Sequence, residues 1–387
     1  MAILVFYLLA LIALLVGTAA IYMALLKMVP VSWQYYHYFL RKPVNWIIFL
    51  TLVAWSAIVF AQQGSFPFWA IAPLSLSALA LVLTYKMHQE AAFPAVDFPN
   101  LTTDLRQLPL EDDAQIAVVE YEGVTKCYPL DYVIHHHVVN DRFGDTLVSL
   151  TYCAMCHLVI AFDVSDIGPL FVGSFKGANM IVADRKTTTF FQQATRKSII
   201  GKLHPHELTL IPIQQLRWDD VKKMHPTPPV VAVTKKDLRE FQLPIPGLWK
   251  KIIASNSTPG LSKKQRDNTF PPRTPIIGIL DKTVNADVFY LKREVLERGI
   301  VTNVDSNFFL VSNHGSVNGF KKMAGGTNIR VSAENGELVD LDSKTRWNMR
   351  GKYIAGTIRS DLQPIVISDE YWFSWKEYHK NSVLMRV

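Results

Sequence analysis

The chain has only three cysteines in 387 residues, Cys127, Cys153 and Cys156. Three thiols cannot form the disulfide framework of a small secreted domain, which leaves free thiols, a metal site or a redox pair. Charge is missing from one whole stretch, with no charged side chain between Ala2 and Leu26. At about 1.5 Å per residue, such a run spans a hydrocarbon core of about 30 Å as a helix. It also lacks the basic start and small-residue cleavage site of a signal peptide, so a retained transmembrane helix is expected. No Gly-rich phosphate loop, Ser-centred elbow or paired-carboxylate motif occurs, so kinase, nucleotide-binding and hydrolase chemistry find no support. Lysine doublets such as Lys222-Lys223 and Lys321-Lys322 contribute to a net charge of +7 without any nucleic-acid motif around them. Beside a membrane anchor, the simplest partner for that charge is the lipid bilayer, and no nucleic acid is expected.

Two further apolar stretches, Val44 to Ala61 and Phe66 to Thr84, contain Trp46 and Trp69 near their starts. Together with the first they predict a multi-pass anchor over residues 1–90. Lys27, Arg41 and Lys42 lie between the first two stretches and Lys86 follows the third, whereas Gln62 to Ser65 carry no charge. Retention of basic loops on the inner side then places the remaining domain in the cytoplasm.

After the anchor, short segments rich in Val, Ile, Phe and Tyr alternate with Gly, Asp and Asn turns, as in Gln115 to Tyr121, Thr146 to Tyr152 and Leu158 to Phe162. Short helices are expected at Leu130 to His137 and Trp218 to Met224. The fold class is α+β and β-rich, with N-terminal transmembrane helices followed by two tandem, internally repeated units. These divide as a first unit over 91–234, a Pro-, Ser- and Lys-rich linker over 235–274, and a second, degenerate unit over 275–387. The repeat rests on Asp184-Arg-Lys-Thr187, Gly201, Trp218 and His225 against Asp342-Ser-Lys-Thr345, Gly356, Trp372 and His379. Upstream, Lys126-Cys-Tyr-Pro-Leu130 has a counterpart in Val288-Phe-Tyr-Leu291. Features shared by both halves build the scaffold; features of one half are candidates for chemistry.

His135-His136-His137 and Cys153-Ala-Met-Cys156-His157 belong to the first half alone. Two cysteines separated by two residues can share one metal, with His157 and one of the triplet histidines as further ligands. Thiolate and imidazole suit zinc, copper or iron. The same pair can cycle as a dithiol with a redox partner, its attacking thiol activated by the neighbouring histidines. Cys-x-x-Cys-His is also the c-type haem attachment signature, but it falls among β-branched residues rather than at a helix start, which argues against haem c. A thiol nucleophile with a His base is a further option. The structural alternative is a non-catalytic, partner-binding membrane scaffold whose cysteines only pack, as Cys127 does within its strand.

The residues resemble the family called domain of unknown function 3179. The resemblance rests on His136-His-Val-Val-Asn-Asp141, Leu150-Thr-Tyr-Cys-Ala-Met-Cys156, Gly173-Ser174, Asn179-Met-Ile-Val-Ala-Asp-Arg-Lys-Thr187 and Trp218 with His225-Pro226. It covers Leu108 to Val231, and the second half only as the degenerate repeat. Members typically carry Glu, Pro and a small residue where this chain has His137, Ala154 and His157. The resemblance therefore implies a site centred on His136, Cys153 and Cys156. It adds Asn140, Asp141, Asp184 and Arg185 as supporting or substrate groups and implies no established reaction; His137, at the position where Glu is usual, is a further supporting candidate. Many similar proteins look secreted or lipid-anchored, contrary to the charge count.

Overall fold

The computed structural model describes residues 2–224, 227–234, 258, 261, 267–282, 287–303 and 306–387. The expected linker lies mostly outside the described residues, as does His225. Helices α1 (Ala2–Leu25), α2 (Val31–Gln63), α3 (Ile71–Lys86) and α4 (Gln89–Ala92) precede the short strands β1 (Val96–Asp97) and β2 (Leu101–Thr102). Next come β3 (Gln115–Tyr121), β4 (Val124–Pro129), α5 (Leu130–His136), β5 (Val138–Phe143), β6 (Thr146–Cys153) and β7 (Leu158–Asp163). Strands β8 (Leu170–Lys176), β9 (Asn179–Asp184), β10 (Phe190–Gln192) and β11 (Ser198–Ile200) follow. The first half closes with β12 (Thr209–Ile211), β13 (Ile213–Arg217), α6 (Trp218–Met224) and β14 (Val230–Val231). The later half opens with β15 (Pro275–Ile279), β16 (Val288–Leu291), α7 (Lys292–Arg298), β17 (Ile300–Val301), β18 (Phe308–Asn313) and β19 (Ser316–Lys321). It continues through β20 (Met323–Ala324), β21 (Thr327–Asn328), β22 (Val331–Glu334), β23 (Glu337–Asp340), β24 (Arg346–Asn348) and β25 (Tyr353–Ala355). Strand β26 (Ile367–Tyr371), helix α8 (Trp372–Tyr378) and strand β27 (Val383–Leu384) end the fold.

Two compact units result. One is built mainly from residues 1–95 and 170–207. Its three apolar helical stretches, Ile3–Leu25, Val31–Gln63 and Phe68–Lys86, are each long and apolar enough to cross a membrane. Gly17 lets α1 and α3 approach closely, because an added Cβ would lie 2.7 Å from the Ala80 carbonyl oxygen. Helix α2 starts at Val31, not at Val44 as hydropathy suggested. Its early turns are aromatic and polar rather than uniformly apolar, and they mount the sheet ordered β11-β10-β9-β8. Tyr35 meets Phe190 edge to face at 5.2 Å, and Tyr38 lies 5.6 Å from Phe171. Arg41 and Lys42, counted above as loop cations, lie inside α2. Arg41 is buried, bonded to the Tyr38 carbonyl and 3.8 Å from Glu90.

The second unit comprises chiefly 96–169, 208–234 and 267–387. Here β13-β3-β4-β14-β2 and β1-β5-β6-β7-β12 form two sheets. The alternation of each strand directs Ile116, Val118, Val148, Leu150, Tyr152, Val159 and Ala161 into one core. The later half contributes β26-β15-β16-β27 and β17-β18-β19. The order β13-β3-β4-β14 thus recurs as β26-β15-β16-β27, β5-β6-β7 as β17-β18-β19, and β11-β10-β9-β8 as β25-β24-β23-β22. Registers recur too: Leu216 pairs with Ile116, two residues before Trp218, and Glu370 pairs with Ile276, two residues before Trp372.

One sequence pairing needs correction. Asp184 accepts bonds from the Thr187 hydroxyl and the Thr189 amide and so caps its turn. The equivalent cap in the later half is Asp340, which accepts from Ser343 and the Arg330 amide. Asp342 is exposed and pairs with Arg330 instead. The shared Asp-x-Lys-Thr letters misled because the capping function is met two residues earlier.

Candidate functional site

Cys153 ends β6 and Cys156 lies in the four-residue tip, Ala154 to His157, that leads into β7. On β6 the residues Val148, Leu150 and Tyr152 face the core, so alternation turns Cys153, paired with Leu158, to the opposite face. His157 takes a left-handed backbone, φ 62°, which closes the tip. Neither thiol is in a disulfide and both are wholly buried, while Ala154, Met155 and His157 are half-buried. The Cys156 thiol points back to the Cys153 carbonyl at 3.7 Å.

The tip meets the junction of β26 and α8. The Tyr371 amide donates to the Cys156 carbonyl at 2.9 Å, and the Tyr371 ring stacks on His157 with centroids 5.4 Å apart. His157 Nδ1 is bonded to the Tyr152 hydroxyl at 2.8 Å. Burial holds His157 below its usual pKa; Asp369 opposes that and Lys292 adds to it. Arg273 donates to the Met155 carbonyl at 3.0 Å and lies over the Tyr371 and Phe373 rings. Its guanidinium also interacts electrostatically with Cys156.

Behind this junction Glu370 is wholly buried. Ser368 donates to Oε1 at 2.5 Å, and the Ser374 hydroxyl lies nearby. Burial pushes the Glu370 carboxyl up to about 7; the two serines pull it back and Asp369 raises it. Tyr378 is held well above the usual phenol range by burial, then by Cys156, Glu377, Cys153 and Glu370, so its hydroxyl senses both thiols and the carboxyl.

The other expected site residues are placed as follows. His136 ends α5 with its ring 4.7 Å from Tyr132 and 4.8 Å from His135. His137 is the left-handed cap of α5, buried, and its carbonyl accepts from the Tyr152 amide at 2.8 Å. The end of α5 therefore lies beside the cysteine strand. Asn140 and Asp141 lie in β5 and serve the framework. Asn140 donates to Asp97 at 2.7 Å, and Asp141 accepts from Lys126 at 2.8 Å and Tyr128 at 2.7 Å. Asp184 and exposed Arg185 belong to the other compact unit. Among the described residues no group of three or more His, Cys, Asp or Glu side chains is placed to hold a metal ion. Of the expected quartet Cys153, Cys156, His136 and His157, His157 is turned to Tyr152 and Tyr371.

Sequence reasoning missed Arg273, at the end of the expected linker, and Asp369, Glu370, Tyr371 and Tyr378 of the later half. One signal was readable: two positions before the repeated tryptophan the first half has Leu216 and the second has Glu370. The later hairpin offers a contrast. Its tip carries His314, whose Nδ1 lies 2.8 Å from Asp220 at the start of α6, and no thiol.

No curated protein and no solved structure matches the chain. A family model matches residues 90–382, well past the stretch that the sequence resemblance covered. With three quarters of its length matched, the chain belongs to the family described as protein of unknown function DUF3179.

Proposed function

We propose that this is a membrane-anchored dithiol protein in which Cys156 and Cys153 reduce a disulfide of a partner molecule. The two matched successions of strands are read as two copies of one unit, of which only the first carries thiols. The observation that carries the reading is the placement of two thiols outside any disulfide at one hairpin tip, against a junction that holds a buried carboxyl and a cation. Ionisable groups perturbed by burial and by specific partners concentrate at functional sites. Cys156 is the attacking thiol, because the Arg273 guanidinium favours its thiolate. Attack on the partner's S–S bond forms a mixed disulfide and releases one partner thiol. Cys153 then attacks Cys156, closing the protein disulfide and releasing the second. Two electrons pass from the protein thiols to the partner disulfide, and two thiol protons pass to the products.

Complete burial of both sulfurs favours a second reading, a scaffold with packing cysteines. One experiment separates the two. The full chain in detergent micelles should reduce a model disulfide peptide. Cys153→Ser and Cys156→Ser should abolish that reduction, and Cys127→Ser should leave it within about twofold, because burial pushes the Cys127 thiol up to about 12. Equal rates in all four proteins would establish the scaffold instead.

A further inference from the structure

The N-terminal helices carry their charge at one end. Residues 1–95 contain the cations Lys27, Arg41, Lys42 and Lys86 against one acid, Glu90. Lys27 follows α1, Arg41 and Lys42 precede the uniformly apolar part of α2, and Lys86 closes α3, whereas the opposite connection, Gln62 to Ser65, is uncharged. The two adjacent cations of α2 are used differently. Arg41 is buried and turned inward, its guanidinium 4.4 Å from the Tyr38 ring centroid and 3.8 Å from Glu90. Lys42 is exposed, and its ammonium lies over the ring of Tyr85 on α3, 5.1 Å from the centroid. One turn further along α2, the Trp46 indole donates to the Tyr85 hydroxyl at 3.2 Å. That hydroxyl keeps its own hydrogen for another acceptor. In the interior beside them Asn45 donates to Thr84, which ties α2 to α3 at this level. Lys42, Trp46 and Tyr85 are thus gathered on the outer seam of two helices by bonds that need no ligand.

Beyond this group the seam is apolar. Leu50 and Val53 continue the stripe of Trp46 along α2, Val82 lies one turn from Tyr85 on α3, and all three are exposed. With α1 to α3 as membrane spans, these side chains face acyl chains, and the Lys42, Trp46 and Tyr85 group lies at headgroup level, where tryptophan and tyrosine are enriched. Resting on that membrane-anchored reading and not on the thiols, we propose that the α2–α3 seam is a binding site for one anionic phospholipid. The Lys42 ammonium and the hydroxyl hydrogen of Tyr85 meet its phosphate, while the Trp46 ring, Leu50, Val53 and Val82 cover its acyl chains. Charge selects the headgroup. The one acid of residues 1–95, Glu90, is already matched by Arg41 and by the Tyr38 hydroxyl at 3.3 Å, so a net negative headgroup meets cations. A zwitterionic headgroup brings a second cation beside Lys42 and gains less.

Native mass spectrometry of the full chain, released from detergent micelles doped with phosphatidylglycerol or phosphatidylcholine, counts both the lipids retained and the copies of the chain. The unsubstituted protein should retain one phosphatidylglycerol in preference to phosphatidylcholine. Lys42→Gln and Tyr85→Phe should each weaken that retention about fivefold, the effect of one surface cation or one hydrogen bond. Lys42→Arg keeps the charge, and Lys223→Gln removes an exposed lysine of the other compact unit; each should stay within about twofold. Equal retention in all these proteins, no preference for the anionic lipid, or an equal loss in Lys223→Gln would overturn the site. Displacement by inorganic phosphate would assign it to the free anion, and a lipid-free dimer would assign the seam to a second copy of the chain. A chain that stays in solution once detergent is removed would refute the membrane anchor itself, and this proposal with it.

Discussion

At the residue scale, two histidines flanking the thiols have different duties. His137 caps α5 in the left-handed region at φ 62°, where the matching cap of α7 is Gly299 at φ 77°. Glycine takes that backbone without strain, which makes His137 an unusual cap. Burial pushes its pKa from 6.5 down to about 4, with the His135 and Ile134 carbonyls opposing the shift. Between those values the unfolded chain binds a proton that the folded one does not. Stability is therefore full above pH 6.5 and falls as pH drops through the window, by on the order of 3 kcal/mol. His137→Gly should shrink the loss of stability between pH 7 and pH 4, leaving the shares of His157 and His88, whose pKa values are also lowered by burial. Urea unfolding at the two pH values measures it, and an undiminished slope would assign the pH dependence elsewhere. The sequence flagged His137 through its departure from the family pattern. It could not show that the side chain is buried as a cap, because that depends on β6 running beside the helix end.

At the element scale, the pairing of β15 with α8 shows how one framework accepts different side chains. Gly278 lies under Trp375, and an added Cβ would fall 2.1 Å from the indole ring. The corresponding positions of β3 and α6 are Val118 and Val221, both in one core, so glycine plus tryptophan replaces two valines. Gly278→Ala should therefore cost about 3 kcal/mol, the upper part of the usual overpacking range. Adding Trp375→Leu should recover part of that loss, making the double variant more stable than the sum of the single effects implies. Additive losses in thermal unfolding would show that the close approach is not the cause. Elements of this kind were legible in the sequence: the hairpin around the cysteines, α5 and α6 fall where alternation, turns and length placed them. The early start of α2 was not legible, because Val31 to Lys42 earns its helix by packing Tyr35 and Tyr38 on a sheet some 140 residues away. The cap at Asp340 was missed for a related reason, since a carboxylate two residues from the repeated letters can reach the same amides.

At the scale of the whole molecule, half of the candidate site was readable and half was not. Cys153, Cys156 and His157 stand together in the sequence, and a local motif with a local turn is what one chain can reveal. Asp369, Glu370 and Tyr371 reach the same place only because strand pairing brings the β26–α8 junction to the tip of β6 and β7, more than 200 residues away. Nothing in the spacing of either segment announces the other. The two segments make sense together as one enclosed thiol pair, carried by a chain whose N-terminal helices are long and apolar enough to cross a membrane. The most direct test of that account is a redox titration of the full chain in glutathione buffers of stepped ratio, with Cys153 and Cys156 read by alkylation and peptide mass. A dithiol site predicts one reversible two-electron transition linking these two sulfurs at a potential within the glutathione range, while Cys127 stays reduced. Thiols that remain unlinked across the whole titration, or that react only after the chain unfolds, would contradict it.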